Sequence, residues 1–252
     1  MSIIHSFDPD SGAVLNPWDA VSPVEGLPET LIATFSPKFL TILEDIVSLE
    51  ECAVLKCNGC SRPVYRFEYK GRSLGIFHTM LGGSASAAML EELIAMGAKR
   101  VLYFGSSGAL DKELVYGRLV APTAACRDEG VSYHYMPASD YIEIETAQAL
   151  CGILDSLNIP YVKARTWTTD AVYRETRANM EKRKCEGCAV VEMECASVMA
   201  VGQFRKVPVY QFLYAADCLD AAQWDRRLLG SMPEDMRERI LTVALNVAAK
   251  LN

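Results

Sequence analysis

The sequence predicts a single-domain α/β fold. Short apolar stretches typical of buried strands alternate with stretches whose apolar residues recur at helical spacing along most of the 252 residues. No linker rich in Pro, Gly or Ser, no internal repeat and no low-complexity segment divides the chain. Half of the residues are hydrophobic, which is enough for one large core. We therefore expect an N-terminal arm over residues 1–30, where periodicity is weak, followed by one domain over residues 31–252.

The expected strands and helices alternate along the chain. Strands are expected at residues 31–35, 64–69, 73–77, 101–104, 115–122, 161–164, 189–191 and 209–214. Helices are expected at residues 38–49, 85–96, 146–157, 174–184, 196–204 and 233–251. Ser36 as N-cap and Pro37 as first helical residue suit the start of the first helix, and Gly97 suits the end of the second. A hairpin turn is expected at 70–72, loops at 105–109 and 166–173, and an irregular polar region at 126–139.

Charge and hydropathy exclude two classes of partner. A formal net charge of −7 argues against nucleic acid, because binding to a phosphate backbone needs a basic face. No apolar run approaches the roughly 20 residues of a membrane helix, and residues 1–10 lack the pattern of a secretory signal.

Nine cysteines, an odd number, favour a reducing compartment over a disulfide scaffold, so we expect a cytoplasmic protein.

Two Cys-x-x-Cys pairs, Cys57/Cys60 and Cys185/Cys188, leave an alternative open. Four thiolates could bind zinc, and either pair could form a regulatory disulfide. More than a hundred residues separate the pairs, far more than in common zinc modules, which favours ordinary reduced thiols. We expect neither a metal nor a cofactor.

Three carboxylates follow two apolar runs. Glu192 and Glu194 come directly after the strand expected at 189–191, and Asp217 lies just beyond the strand expected at 209–214. Ligands of open α/β sheets collect at the carboxyl ends of strands, so these side chains are expected at one edge. The alternative is that Glu192 and Glu194 only cap the helix that follows.

Other segments suit the binding of a small anion and a planar ring. The helix start at Ser36 and Pro37, with Lys38 beside it, suits an anion, although Lys38 could equally be a solvated surface residue. The small residues at 105–109 would let backbone N–H groups approach a ligand closely. Segment 166–173 combines aromatic and hydroxyl side chains, and Trp167 could serve a ligand or the core.

Together these segments resemble the purine nucleoside phosphorylase/uridine phosphorylase family, which also contains nucleosidases. Val191-Glu192-Met193-Glu194-Cys195-Ala196 is similar to the family's Glu-Met-Glu-x-Ala signature. The other matching segments, in chain order, are Tyr69-Lys70-Gly71-Arg72, Gly105-Ser106-Ser107-Gly108-Ala109, Thr169-Asp170 to Tyr173, and Ala216-Asp217. The resemblance covers about residues 30–250 and implies a three-layer α/β sandwich around a mixed, partly barrel-like sheet.

The resemblance also implies roles for individual residues. Glu194 would bind the ribose hydroxyls, Met193 would pack on the sugar, and Glu192 would stand beside them. Asp217 would protonate the base, as in purine-cleaving members. The base pocket would include Val191, Ser107, Gly108, Val172 and Tyr173. Ser106, Lys38 and Arg62 would bind the phosphate.

The reaction implied is phosphorolysis of purine nucleosides, as in purine salvage, by a homo-oligomer (dimer or hexamer) with shared active sites. Arg62 or Arg66, and His5, are candidates for side chains lent by a neighbouring subunit. Hydrolysis, uridine phosphorolysis and non-catalytic nucleoside binding remain alternatives. Two departures weaken the phosphate site: Tyr103 stands where family phosphorylases place an arginine, and residues 34–37 replace their glycine-rich turn.

Overall fold

A mixed sheet of ten strands forms the centre of the fold. The computed structural model describes residues 2–10, 12–57 and 60–251, without the side chains of Cys57 and Cys60. Its strands are β1 (Thr30–Thr34), β2 (Glu50–Cys57), β3 (Cys60–Tyr69), β4 (Arg72–His78), β5 (Arg100–Ala109), β6 (Leu119–Asp128), β7 (Tyr141–Glu143), β8 (Tyr161–Thr169), β9 (Cys188–Glu192) and β10 (Val209–Cys218).

Nine α-helices are present in the described part of the chain. They are α1 (Pro17–Ala20), α2 (Lys38–Glu44), α3 (Gly83–Met96), α4 (Lys112–Val115), α5 (Ser132–Tyr135), α6 (Ala147–Ser156), α7 (Arg177–Cys185), α8 (Cys195–Arg205) and α9 (Glu234–Lys250). Short 3-10 helices occur at Ile3–His5 and Val172–Arg174. None of these helices combines the length and apolar character that a membrane span requires.

Part of the sheet closes on itself. The strand order is β10-β6-β8-β9-β5-β1-β4-β3-β2, and β10 also pairs in parallel with β5, which joins five strands into a closed barrel. β1 pairs in parallel with β4 and β5, and β4, β3 and β2 extend the sheet as an antiparallel meander. The mixed, partly barrel-like sheet expected from the resemblance is confirmed.

Helices cover both faces of the sheet and give three layers. Along β5, Val101 and Tyr103 face a core formed with α3 and α8, whereas Leu102 and Phe104 face a core formed with α2, α6 and α9. This alternation follows from the two-residue period of a strand. Phe104 stacks on Phe212 at 5.6 Å between ring centroids, so the second core spans β5 and β10.

Several expected elements are confirmed. The hairpin between β3 and β4 turns through Lys70 and Gly71, with φ of 51° and 72°. Gly97, with φ of 121°, ends α3. The first expected helix is too long at its end: α2 stops at Glu44. Its start differs as well, because Pro37 and not Ser36 occupies the N-cap position.

Several strands differ from the sequence-based expectation. β2 was not predicted, and β6 runs to Asp128 into the region expected to be irregular. Residues 105–109 belong to β5 and residues 166–169 to β8, although both were expected to be loops. Asp217 lies within β10, beside a bulge between Ala215 and Asp217, and not beyond its end.

The second cysteine pair forms no disulfide in the structure. Cys185 is exposed at the end of α7, Cys188 is buried in β9, and both are free thiols. The side chains of Cys57 and Cys60, and the turn between them, lie outside the described residues. Elsewhere in the described chain, no group of three or more His, Cys, Asp or Glu side chains could hold a metal ion.

Candidate active site

The strand register brings the predicted carboxylates and small residues side by side. Gly108 of β5 is the register partner of Asp217 on one side and of Val191 on the other. Thr168 of β8 is the partner of Glu192. Strand ends from several parts of the chain therefore meet at one place, as expected for a ligand site in an α/β protein.

Both carboxylate oxygens of Glu192 accept hydrogen bonds from within the protein. It is buried and accepts hydrogen bonds from the hydroxyls of Thr168 (2.6 Å) and Thr166 (3.2 Å). Its other oxygen accepts from the N–H groups of Glu194 (2.7 Å) and Cys195 (2.6 Å) at the start of α8. Burial raises the pKa of Glu192, and these hydrogen bonds oppose the rise. The helix-capping alternative is thus correct for Glu192, which fixes the turn between β9 and α8.

Glu194 differs because no side chain of the described residues donates to it. Its Oε1 accepts a hydrogen bond from Gly82 N–H at 2.6 Å, and only 4% of the residue is exposed. Gly82 adopts φ of 94°, a conformation that favours glycine and aims its N–H at the carboxylate. Burial raises the pKa of Glu194 to about 8, and the charge of Glu192 adds to the rise.

A second acidic group lies at Gly108. A methyl group added to Gly108 would lie 2.7 Å from Leu219 Cδ1, 3.0 Å from Val191 Cγ1 and 3.4 Å from Asp217 Oδ1, so glycine is what allows these side chains to pack closely around the strand. Burial raises the pKa of Asp217, and a hydrogen bond of 2.7 Å from Trp224 Nε1 opposes the rise. Glu175 lies near this group: burial, and then the charge of Asp217, raise the pKa of Glu175 to about 7.

This row of strand-end carboxylates occurs in a chain whose residues 31–250 match the sequence profile of the Phosphorylase superfamily. The chain belongs to that superfamily. The profile covers every strand of the sheet apart from the first residue of β1.

Individual relatives agree with this assignment. Purine nucleoside phosphorylase from Plasmodium falciparum is 29% identical over 192 residues, which cover 73% of this chain and 76% of that protein. The solved purine nucleoside phosphorylase from Toxoplasma gondii in complex with immucillin-H superposes with a TM-score of 0.75 at 20% identity, covering 89% and 92% of the two chains. AMP nucleosidase from Bacteroides thetaiotaomicron superposes with a TM-score of 0.68 at 19% identity, covering 88% of each chain. Uridine phosphorylases are among the other matches. The structural similarities show the shared fold.

The adjoining ends of β5, β9 and β10 bring together most of the predicted site residues. The residues that share adjoining strand ends are Val191, Glu192, Met193, Glu194, Ser107, Gly108 and Asp217. Ser107 is buried, and its hydroxyl donates to the carbonyl oxygen of Tyr214 (3.3 Å). Val172 and Tyr173 are instead 44% and 97% exposed on a 3-10 helix, and their contact with a base remains a prediction.

The predicted phosphate residues do not converge on a shared partner. Lys38 is exposed at the first residue of α2, and Ser106 is exposed in β5. Arg62 Nη1 lies 3.3 Å from His78 Nδ1, and Arg66 forms an ion pair with Glu50. Their roles toward phosphate, and that of the exposed His5, remain predictions.

Trp167 belongs to the core. It is 1% exposed and its indole N–H donates to Asp128 Oδ2 at 2.9 Å, so the structural alternative is correct for this residue.

Four residues at the site were not predicted: Glu175, Trp224, Gly82 and Thr168. The sequence carries a signal for Thr168 only. Thr166 and Thr168 alternate on one strand face, which suits two hydroxyls that donate to the same acceptor. Glu175 was expected in the helix at 174–184 but precedes α7, and Trp224 reaches Asp217 through the turn that follows β10.

Proposed function

We propose that this protein cleaves the N-glycosidic bond of purine nucleosides and transfers the pentosyl group to a small acceptor. The observation that supports this most directly is that two acids, the buried Glu194 and the partly buried Asp217, lie at the adjoining ends of β9 and β10, on either side of β5. The activities named for the relatives, purine nucleoside phosphorylase and AMP nucleosidase, fit the same chemistry.

Glu194 is the residue we assign to the sugar. Breaking an N-glycosidic bond builds positive charge on the ribose, as in glycoside hydrolysis. A carboxylate that bridges two ribose hydroxyls binds the sugar by charge-assisted hydrogen bonds and stabilises that charge. Glu194 has this capacity, because its only hydrogen-bond donors among the described residues are backbone N–H groups.

Asp217 is the residue we assign to the base. A purine leaves poorly until one of its ring nitrogens is protonated, and a positioned acid typically accelerates such a step by about 10²–10⁴-fold. Burial raises the pKa of Asp217, which favours the protonated form that a proton donor needs. Asp217 lies beside the small residues Ser107 and Gly108, which we assign to the base pocket.

The test compares two leaving groups in the variant Asp217→Asn. We expect cleavage of inosine and adenosine to fall by roughly 10²–10⁴-fold, since the proton donor is lost. Cleavage of a nucleoside with an activated leaving group that needs no proton should change little. Asp225→Asn is the matched control, because Asp225 is an exposed acid of the same segment that forms an ion pair with Arg227. Equal losses for both leaving groups would contradict the assigned role.

A further inference from the structure

We infer that the acceptor of the pentosyl group is water, bound between the phenol of Tyr103 and the carboxylate of Glu194, and that phosphate is excluded. The inference rests on the proposed function, because it names the second substrate of the same site. Three features of the described residues carry it: a filled space, carboxyl groups that accept no hydrogen bond from Lys or Arg, and a buried hydroxyl without a partner.

The filled space lies where β1 ends. The ring of Phe35 packs against Gly105, so that a methyl group added to Gly105 would lie 2.7 Å from Phe35 Cδ2. The ring centroids of Phe35 and Tyr103 are 6.2 Å apart. Two aromatic rings therefore occupy the region beside the Gly-Ser segment of β5, and a tetrahedral oxyanion has no room there without displacing Phe35.

The backbone of Phe35 is held by a short hydrogen-bond chain. Arg62 Nη1 lies 3.3 Å from His78 Nδ1, and His78 Nε2 lies 3.3 Å from the carbonyl oxygen of Phe35. Arginine can only donate, so Nδ1 accepts and Nε2 carries the proton that reaches Phe35. Burial, and then the charge of Arg62, lower the pKa of His78, which keeps the ring neutral. Arg62 is thus engaged in positioning Phe35.

The site is also acidic. Among the described residues, no Lys or Arg side chain donates a hydrogen bond to Glu175, Glu192, Glu194 or Asp217. Arg177, which follows Glu175, donates instead to the carbonyl oxygens of Leu219 and Ala221. Arg227 supplies one positive charge here, which lowers the pKa of Asp217. A phosphate dianion would still be repelled, in a partly buried space, by those of the carboxyl groups that are ionised. A neutral acceptor carries no such penalty.

The buried hydroxyl belongs to Tyr103. The residue is fully buried, and its phenol oxygen has no hydrogen-bond partner among the described residues. After burial itself, the charge of Glu194 is what raises the pKa of Tyr103, so the two groups are close. Gln211, the register partner of Tyr103 on β10, is buried as well and its amide also lacks a partner. A buried polar group without a partner costs about 1–3 kcal/mol, which a bound water would recover.

The reaction with water balances as follows. The water oxygen bonds to C1′ of the ribose as the C1′–N bond breaks, and that bond's electron pair goes to the base. Asp217 gives its proton to the base, and Glu194 accepts the proton that the water loses. Exchange with solvent then returns both acids to their starting states. The products are the free base and free ribose.

The sugar product distinguishes the acceptors. The full chain is incubated with inosine, adenosine and guanosine in ¹⁸O-labelled water, without phosphate and across a phosphate series. We expect free ribose with the label at C1, at a rate that added phosphate does not increase. Ribose 1-phosphate, or a rate that rises with phosphate, would overturn the inference and leave the proposed function intact. Failure to release base from any nucleoside would overturn the proposed function and the inference together.

Tyr103→Phe tests the bound water directly. The variant keeps the ring and removes only an unpartnered hydroxyl, so its melting temperature should be unchanged or slightly higher than that of the parent protein. We expect the turnover number to fall roughly 10- to 100-fold with little change in KM, because the substrate itself does not contact the phenol. Tyr210→Phe, on the opposite face of the sheet, is the matched control. Unchanged turnover in Tyr103→Phe would remove the phenol from the mechanism.

Discussion

Glu192 and Glu194, the two glutamates of the Glu-Met-Glu signature, accept hydrogen bonds from different sets of donors. Two threonine hydroxyls and two backbone N–H groups satisfy Glu192, so it has little left to offer a ligand. Glu194 accepts from Gly82, 112 residues earlier in the chain, and from no side chain of the described residues. The same residue type therefore fixes the backbone in one position and faces the ligand in the other.

Replacing each glutamate by glutamine should separate these roles. In Glu194→Gln, we expect ribonucleoside cleavage to fall by roughly 10- to 100-fold, because charge-assisted hydrogen bonds to the ribose are lost. A 2′-deoxynucleoside, which has one hydroxyl fewer, should lose less. Rates for matched ribo- and deoxyribonucleosides check this, and equal losses would return Glu194 to a purely structural role.

Glu192→Gln is the matched control for this experiment. Its amide NH₂ would face N–H or O–H donors, so we expect a loss of stability of about 1–3 kcal/mol in unfolding by denaturant. Its effect on ribo- and deoxyribonucleosides should be the same.

The pH dependence of purine cleavage should depend on Glu175. Glu175 and Asp217 lie close enough to influence each other, and the pKa of Glu175 is raised to about 7, so the pair retains a proton up to that pH. In Glu175→Gln only Asp217 titrates, without a second negative charge beside it. The high-pH limb of the rate profile should then move to lower pH, and the rate on that limb should fall about tenfold for each pH unit by which the limb moves.

A pH series with inosine, on the parent protein and on Glu175→Gln, measures this displacement of the limb. Glu181→Gln, an exposed glutamate of α7, is the control and should leave the profile unchanged. A limb that moves to higher pH in Glu175→Gln would contradict the shared proton.

At the scale of elements, the segment that follows β10 returns over the site. A bridge between Cys218 and Asp225 closes it, and Trp224, 59% exposed, donates its indole N–H to Asp217. This hydrogen bond favours the charged form of Asp217 and occupies the acid in the absence of a ligand. A purine that takes a proton from Asp217 must displace the indole or share the carboxyl group with it.

Trp224→Phe should therefore have the opposite effect to Glu175→Gln. Without the indole donor the pKa of Asp217 rises further, and the high-pH limb of purine cleavage should extend to higher pH. In the parent protein, purine nucleoside binding should change tryptophan fluorescence, and this change should be lost in Trp224→Phe and kept in Trp18→Phe. A binding signal that survives in Trp224→Phe would place the nucleoside away from this segment.

Local sequence patterns predict some features of the site, and other features depend on the fold. Glu192, Glu194 and Asp217 could be placed near strand ends because each follows an apolar run of the sequence, which is a local signal. The strand character of residues 105–109 and 166–169 could not be predicted from the sequence. These segments are rich in Gly, Ser and Thr and are stabilised as strands by pairing with neighbouring strands: Gly105 pairs with Leu213, and Thr168 pairs with both Glu192 and Arg127. The approach of Glu175 and Gly82 to the site depends on contacts between distant parts of the chain, and that of Trp224 depends on the turn that the Cys218–Asp225 bridge closes.

For the whole molecule, exposed apolar residues of the arm suggest how copies associate. Val14, Leu15 and Trp18 are 107%, 74% and 53% exposed, a concentration of apolar surface in a segment that packs on α3 through α1. We expect a homo-oligomer in which a neighbouring copy covers this segment. Sedimentation of the full chain tests it, and the double substitution Val14→Ser with Leu15→Ser should reduce the assembled fraction.

Ile46→Ser is the control for association, because Ile46 is 52% exposed but lies outside the arm. A full-length protein that sediments as a monomer would exclude shared active sites.

The closed barrel also determines which edge strands of the sheet could pair with a strand of another chain. Because β10 returns to β5, the strand order has free edges only at the eight-residue β2 and the three-residue β7 among the described elements. A three-residue strand is a poor template for another chain, so amyloid-type growth would have to start on β2. There, Glu50, Glu51 and Lys56 place charges along the edge, and a bulge at Glu51/Ala53 twists it. Aggregation propensity of this protein is thus concentrated in one strand, far along the sheet from the barrel that carries the site.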